Sequence, residues 1–206
     1  NEFNCNNLML VQHKETNEPK IITETNKFKI FFNLLLSKLE SLFVKILLKD
    51  VNNYSLGLFS SIGIVKKINE MRPDVVHLHW TLNGMLSIKD ISKIKAPVIF
   101  TMHDNWAFSG GCHNLSFCKN HLDVSHKCNK FLNITFLRKK RAYFNKNNIS
   151  FVSLSSWLFD LASDSQLLRD KCNFNLPNPI NTQTFAPKDQ NLARNNFNLP
   201  LDKKLI

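Results

Sequence analysis

Two short apolar segments, VVHLHW at residues 75–80 and PVIFTMHD at residues 97–104, decide the fold class of this chain. Turn-forming sequences, RPD at 72–74 and NG at 83–84, flank the first segment. Short, largely apolar runs bounded by such turns indicate buried parallel strands. Because ligands of open α/β sheets bind at the carboxyl ends of the strands, the histidines that end these segments indicate a functional site.

Strand-like and helix-like segments alternate along the chain, which predicts an α/β fold with a Rossmann-like open parallel sheet and helices on both faces. Further strands are expected at residues 8–13, 20–25, 149–154 and 172–177, with another opening at 202–206. Helices are expected at 27–50, 59–71, 87–95, 136–146, 155–168 and 189–200. The third of these begins with a capping-box pattern of Ser87 and Asp90. From His103 to about Leu132 the apolar residues follow neither helical nor strand periodicity, which predicts a long loop. A loop of this length is usually functional or disordered.

Composition and charge indicate a globular protein with anionic partners, but they do not identify a single partner. Its 206 residues can bury one good core, and a hydrophobic fraction of 43% is typical of a packed globular protein. Lysine and arginine number 27 against 16 aspartate and glutamate residues, which gives a net charge of +11 and favours anionic partners. Phosphorylated substrates, acidic lipid and nucleic acid satisfy that charge equally well.

The sequence favours a cytoplasmic location. It contains no run of about 18 apolar residues, and no signal-peptide pattern opens it. Its five cysteines lack the dense, even spacing of a disulfide scaffold, so a reducing compartment fits better.

His103 is the strongest single candidate for a catalytic residue, since it ends a predicted strand and precedes Asp104. The Asp104 carboxylate is expected to fix the tautomer of the His103 imidazole. His79 and Trp80 end the neighbouring segment and are candidates for substrate binding. His77 lies two residues before His79 and therefore on the same face of the strand. A core histidine is the alternative interpretation, above all for His77.

Two small-residue pairs are further candidates for substrate binding. Gly110 and Gly111 permit a positive backbone dihedral or a close approach of backbone to a ligand, although a plain turn also explains them. Ser155 and Ser156 precede a predicted helix, where a hydroxyl and free amide groups can face a ligand. A helix cap alone would also favour serine there.

A cysteine-rich loop raises the question of zinc. Cys112, Cys118 and Cys128 lie in the aperiodic region, and His113 is a possible fourth ligand. Zinc bound by these side chains would order the loop. No CxxC pair occurs there, so free thiols are the alternative. The cationic run at residues 138–141 is expected to be a solvated helix face.

Four blocks of the chain carry a resemblance to a known family. They are HLHW, HDNWAFSGGCH, SLSSWL and LPNPINTQTFAP, which together span roughly residues 70–206. In this order and spacing they resemble the amino-terminal domain of family-four glycosyltransferases, in particular the cysteine-bearing branch that builds bacterial surface polysaccharides.

The resemblance implies a retaining GT-B hexosyltransferase that moves a sugar from a nucleotide-sugar donor to a glycan or lipid-linked acceptor. It implies no required cofactor or metal, because cationic side chains and helix amino termini hold the diphosphate. It also implies that His103 faces the transferred sugar and that Ser155 and Ser156 border the cleft. Asn178 falls in a turn similar to the PNGID turn of the family, with Pro179 where glycine is usual.

The resemblance further implies a domain division. Residues 1–187 are expected to form the acceptor-side domain without its first strand and helix, and residues 188–206 the connector and start of the nucleotide-sugar domain. The chain is therefore expected to be an internal fragment that is inactive by itself.

One further partner and two rival functions follow from the same features. The helix at residues 27–50 carries lysines beside a broad apolar face, which makes peripheral contact with an anionic membrane credible. A basic nucleic-acid-binding module is one rival, but the cations are scattered and no recognised nucleic-acid motif occurs, so no nucleic acid is expected. A non-catalytic domain of the same fold is the other.

Overall fold

The computed structural model describes residues 5–49, 53–114 and 130–205 and confirms the predicted α/β class with parallel sheets. All of its strand pairs are parallel, in a two-stranded sheet β1-β2 and a four-stranded sheet of order β3-β4-β5-β6. The strands are β1 (Met9–Leu10), β2 (Ile21–Ile22), β3 (Val76–His79), β4 (Val98–Met102), β5 (Ile149–Ser153) and β6 (Cys172–Asn175).

Helices connect the successive strands of the four-stranded sheet, whose parallel pairs need crossover connections, whereas β1 and β2 are joined without a helix. They are α1 (Lys27–Leu48), α2 (Ile64–Glu70), α3 (Ile88–Ile91), α4 (Lys130–Phe144), α5 (Ser156–Asp164) and α6 (Gln190–Asn196), with a 3-10 helix at Asn105–Phe108 directly after β4. That 3-10 helix lies in the region for which the sequence predicts no regular element. Four residues are too few to leave a helical period in the sequence.

Local side-chain caps set several of these boundaries. Asn26 accepts hydrogen bonds from the amides of Phe28 and Lys29 at the start of α1. Ser87 accepts from the Asp90 amide, which confirms the start of α3 expected from the capping box. The helix predicted at 59–71 begins only at Ile64, because Gly63 before it has left-handed backbone geometry.

The main core surrounds β4 and β5, which lie inside the four-stranded sheet. Its most enclosed apolar side chains include Ile88, Ile91, Val98, Met102, Phe108, Phe136 and Phe151. The strand registers pair His79 with Thr101 and Met102 with Ser153. The carboxyl ends of β3, β4 and β5 therefore share one edge of the sheet, and this edge carries the predicted site.

The chain divides into two compact units, one up to Leu176 and one from Pro177. The second unit contains α6, and none of its described residues is buried. Residues 202–205, where a strand is expected to open, form none. The domain limits expected near residue 187 stay a prediction. Among the described helices, none has the length and hydropathy needed to cross a bilayer.

Candidate functional site

Three histidine rings form a row at the carboxyl edge of β3 and β4. His79 Nδ1 lies 3.0 Å from His103 Nε2, so the residue that ends β3 and the residue after β4 share a hydrogen bond. The rings of His77 and His79 are 4.1 Å apart between centroids, and those of His79 and His103 are 5.3 Å apart. His77 Nε2 is bound to Thr101 Oγ1 at 2.7 Å. The side chains of His77, His79 and His103 are all exposed, so a core role does not describe them.

The pKa values of two rings in this row are lowered. Although both side chains are largely exposed, partial burial lowers the pKa of His79, and the neighbouring His77 and His103 lower it further. Partial burial and His103 lower the pKa of His77 in the same way. In the His79–His103 hydrogen bond one ring nitrogen must donate and the other accept, which two neutral imidazoles can do. The lowered pKa values favour the neutral forms of His77 and His79, whose ring nitrogens can donate or accept.

Asp104 has a different partner from the expected one. Its Oδ2 lies 2.7 Å from His113 Nδ1, whereas His103 is bonded to His79. Its Oδ1 accepts from the Trp106 amide at 2.8 Å and so caps the 3-10 helix. The expectation that Asp104 fixes the tautomer of His103 is corrected by this contact. The carboxylate orients His113, because the loop that follows β4 folds back and brings residue 113 beside residue 104.

The chain of hydrogen bonds continues from His113 to Ser55. His113 Nε2 lies 2.8 Å from Ser55 Oγ, so Asp104, His113 and Ser55 form one linear series. Because a carboxylate can only accept, Nδ1 of a neutral His113 carries the proton and Nε2 accepts from the Ser55 hydroxyl. This order matches that of an acid, a base and a hydroxyl nucleophile, and it also fixes one orientation of the His113 ring.

Backbone contacts explain why Ser55 reaches this site from a distant part of the chain. The Ser55 amide donates to the Gly111 carbonyl at 2.9 Å, and the His113 amide donates to the Asn53 carbonyl at 2.9 Å. Trp106 Nε1 donates to the Ser55 carbonyl at 2.8 Å. The segment at 53–55 is therefore held along the loop after β4. The sequence offered no local signal for Ser55, because its partners are more than 50 residues away.

The glycine pair serves this backbone contact. Gly110 and Gly111 are buried, and Gly111 has φ +121°. A Cβ added to Gly111 would lie 2.8 Å from the Ser55 carbonyl oxygen. The close approach that the sequence suggested at Gly111 is thus an approach to the 53–55 segment.

Trp80 lies where the two hydrogen-bonded groups meet. It follows His79 directly, and its ring centroid is 5.1 Å from that of His113. Its side chain is 52% exposed and its φ is +44°, which is unusual for a residue with a large side chain. A narrow depression beside it is also lined by His103, Asp104 and Trp106. An exposed aromatic ring in such a position can stack on an apolar face of a ligand.

Asn105 begins the 3-10 helix directly after Asp104. Its side chain is buried, and its Oδ1 has no hydrogen-bond partner among the described residues. Because this oxygen has almost no accessible surface and Asn105 does not line the depression beside Trp80, it does not contribute to the ligand-facing surface.

Ser155 and Ser156 lie at the neighbouring strand end. The Ser155 hydroxyl accepts from the Leu158 amide at 3.2 Å and caps α5, so its helix-capping role is confirmed. Ser156 is the first residue of α5 and is exposed. Since the register pairs Met102 with Ser153, both serines lie at the same sheet edge as His103. Asn178 is exposed in the second unit, and its part in a site stays a prediction.

Zinc binding is tested only in part, because Cys118 and Cys128 lie outside the described residues. Cys112 is fully buried in a small apolar cluster with Leu132. Both ring nitrogens of His113 are engaged, so zinc would displace one of its hydrogen bonds. Among the described residues no group of three or more His, Cys, Asp or Glu side chains could hold a metal ion.

The basic run on α4 is only partly the solvated face that was expected. Lys139 is fully buried, with Nζ 3.6 Å from the centroid of the Trp106 ring, and it donates to the Trp106 and Ser109 carbonyls. Arg138 donates to the carbonyls of Leu56 and Gly57, at 2.9 and 2.7 Å. Two of the four cations therefore hold the loop and the 54–59 segment in place, a role that no local pattern distinguishes from surface charge.

A larger cavity of about 350 Å³ lies elsewhere, lined by residues of the β1-β2 sheet, α1 and α2, including Lys29, Lys66 and Lys67. Lys29 pairs with Glu24 at 3.5 Å, Lys66 with Glu70 at 3.7 Å, and Lys67 donates to the Thr23 carbonyl. These cations are already neutralised or bonded. The depression at the histidine edge is smaller, but this edge has the exposed Trp80 ring and the exposed imidazoles of His77, His79 and His103, which a ligand can contact.

Comparison with known proteins gives no relative. No family model, curated protein or solved structure matches the chain.

Proposed function

We propose that this chain is the acceptor-side domain of a retaining glycosyltransferase, which transfers a sugar from a nucleotide-sugar donor to a glycan or lipid-linked acceptor. The single observation that carries the proposal is the exposed His79–His103 hydrogen bond at the carboxyl edge of a parallel sheet. That edge is where open α/β sheets bind ligands. The four sequence blocks that resemble family-four glycosyltransferases include both histidines.

The chemistry of the edge suits a sugar. Imidazoles with lowered pKa values offer a donor and an acceptor to hydroxyl groups without attracting a permanent anion. The exposed Trp80 ring can cover an apolar sugar face. These groups would bind and orient the sugar near His103.

In this proposal His103 is the residue next to the anomeric carbon, where the reaction takes place. In the proposed reaction the bond between the anomeric carbon and the diphosphate breaks, and its electron pair leaves with the diphosphate. The acceptor hydroxyl oxygen forms the new bond to that carbon and gives its proton to the departing diphosphate. The His103 imidazole would donate a hydrogen bond to the transferred sugar and stabilise it as the leaving group departs. Asp104 would act indirectly, because its contacts hold His113 and the 3-10 helix. The diphosphate would bind to a nucleotide-sugar domain, with no metal required.

The test compares His103→Ala with His13→Ala. His13 is a matched control, since its side chain is 83% exposed and it lies between β1 and β2. In a protein that joins this chain to a nucleotide-sugar domain, His103→Ala should lower the transfer rate by ~10² or more. Its unfolding free energy should change by about 1 kcal/mol or less, because the side chain is exposed. His13→Ala should alter neither quantity.

The opposite pattern contradicts the proposal. If His103→Ala lowers the melting temperature while its folded fraction transfers sugar at the normal rate, His103 is a structural residue. Calorimetry on the chain alone provides a second check. Tight, saturable binding of nucleoside diphosphates would contradict the acceptor-side assignment, and preferential, salt-sensitive binding of duplex DNA would favour the nucleic-acid rival.

A further inference from the structure

Large apolar side chains are exposed on α1 from Phe28 to Ile46. Phe28, Phe31 and Ile46 are 70%, 63% and 62% exposed. Other large apolar side chains exposed on the same helix are Ile30, Leu34, Leu35, Leu42 and Phe43. Single exposed apolar residues are ordinary on protein surfaces, but a continuous row along one helix marks a contact surface.

This exposure does not result from a loosely attached helix. The opposite side of α1 is held by Val44, which is buried, and by Glu40, which accepts from the amides of Gly57, Leu58 and Phe59. Asn33 Oδ1 accepts from the Ile62 amide at 2.8 Å. The helix is therefore docked by one face, and the apolar row lies on the other.

Cationic side chains lie beside the apolar row. Lys27, Lys38 and Lys45 are eleven and seven residues apart and all exposed. Since an α-helix has about 3.6 residues per turn, these spacings place them on one line along the helix. Phe31, Leu35, Leu42 and Ile46 fall on the adjoining line, by the same geometry.

Among the described residues of α1, no acidic side chain lies on this face. Between residues 27 and 49 there are five lysines and one acidic residue, Glu40, so the segment carries 5 − 1 = +4. Glu40 is only 4% exposed and points inward to the 57–59 amides. A protein partner would have to supply matching carboxylates in a row, whereas an anionic bilayer presents negative charge directly above an apolar layer.

We infer that α1 lies in the plane of an anionic membrane, with the row Phe28, Phe31, Leu35, Leu42 and Ile46 in the acyl boundary and Lys27, Lys38 and Lys45 among the lipid head groups. None of the described helices can cross a bilayer, so the contact is peripheral. Lysine stems are long enough to keep their charges at head-group level while the apolar row is immersed. This inference does not depend on glycosyl transfer, because it uses only the exposed face of α1.

The experiment measures cosedimentation of the chain with vesicles of phosphatidylcholine, with and without phosphatidylglycerol. The chain should bind the anionic vesicles at least about tenfold more tightly than the neutral ones, and added salt should reduce that preference. Phe31→Ser with Leu42→Ser should weaken binding to anionic vesicles by at least about tenfold, since both side chains leave water on binding. Lys38→Gln with Lys45→Gln should reduce the preference for anionic lipid. Phe197→Ser is the control, because this ring is 76% exposed in the second unit.

Three results would overturn the inference. One is equal binding to neutral and anionic vesicles. Another is a control variant that weakens binding as much as the α1 variants do. The third is a wild-type dimer in light scattering that dissociates when Phe31 and Leu42 are replaced, since a second copy of the chain would then cover this face. Circular dichroism verifies that each variant retains its helix content.

Discussion

Replacing Asp104 tests the hydrogen-bonded series that holds the loop after β4. In Asp104→Ala the Trp106 amide loses its cap and His113 Nδ1 loses its carboxylate partner. A helix cap contributes about 1 kcal/mol, and a hydrogen bond to a charged group contributes about 1.5–3 kcal/mol. The side chains of Asp104 and His113 are 22% and 12% exposed, so little water is available to replace these bonds. The expected loss of unfolding free energy is about 2.5–4 kcal/mol.

Asp104→Asn should cost much less, because the hydrogen bonds can be rearranged. The asparagine Oδ1 can still cap the Trp106 amide. Its amide group would donate to His113 Nδ1, which must then become the acceptor, and the proton would move to Nε2. The Ser55 hydroxyl can accept from that Nε2 proton as readily as it donated before. The expected loss is therefore about 1 kcal/mol or less, because no buried group is left without a partner.

Two measurements distinguish these outcomes. Urea unfolding followed by Trp fluorescence reports the stability, with buried Trp106 as a reporter next to the change. Nitrogen-15 NMR of the imidazoles reports the tautomer of His113. It should carry its proton on Nδ1 in the wild type and on Nε2 in Asp104→Asn. Equal destabilisation by alanine and asparagine, or an Nε2 proton in the wild type, would refute the reasoning.

Three further predictions concern the contacts around the site. Gly111→Ala should cost about 2 kcal/mol or more in thermal unfolding, because φ is +121° and the new Cβ would meet the Ser55 carbonyl. Glu40→Ala should cost about 3 kcal/mol or more in urea unfolding, because it leaves buried backbone amides without their acceptor. Stability should decline as the pH falls below about 6.5. The folded-state pKa values of His77 and His79 are lowered, so the unfolded chain binds more protons in that range.

Matched variants control these measurements. Gly63→Ala introduces the same residue at a positive φ with open space around it, so it should cost less than Gly111→Ala. Glu40→Gln keeps one acceptor oxygen for the Gly57 amide but puts an NH2 donor in place of the oxygen that accepts from Phe59, so it should cost less than Glu40→Ala without restoring the wild-type stability. Replacing His77 and His79 by Gln should flatten the decline in stability at acid pH. An unchanged slope in that double variant would show that other groups cause it.

The sequence by itself determined the elements whose signal is local. The runs that became β4 and β5 are apolar and short, so their burial could be predicted from their residues alone. The first segment did become a parallel strand, β3, but the expectation that it is buried is wrong except at Leu78, because β3 lies at the edge of the sheet. Ser87 and Ser155 start their helices through bonds to amides three residues ahead, which spacing alone reveals. Because parallel strands place their carboxyl ends at one edge, the proximity of His79 and His103 also followed from the pattern.

Only the tertiary structure decided which distant groups meet. Ser55 bonds to His113 across 58 residues of sequence, and Lys139 reaches the Trp106 carbonyl across 33. The sequence assigned Asp104 to its neighbour His103, but the loop after β4 folds back and gives it His113. The spacing of apolar residues shows whether a helix or strand has a buried face, but it does not show which other element packs against that face. The loop after β4 has no such spacing, and its path decides which distant residues come together. The hydrogen-bonded series Asp104–His113–Ser55 could therefore be found only in the tertiary structure.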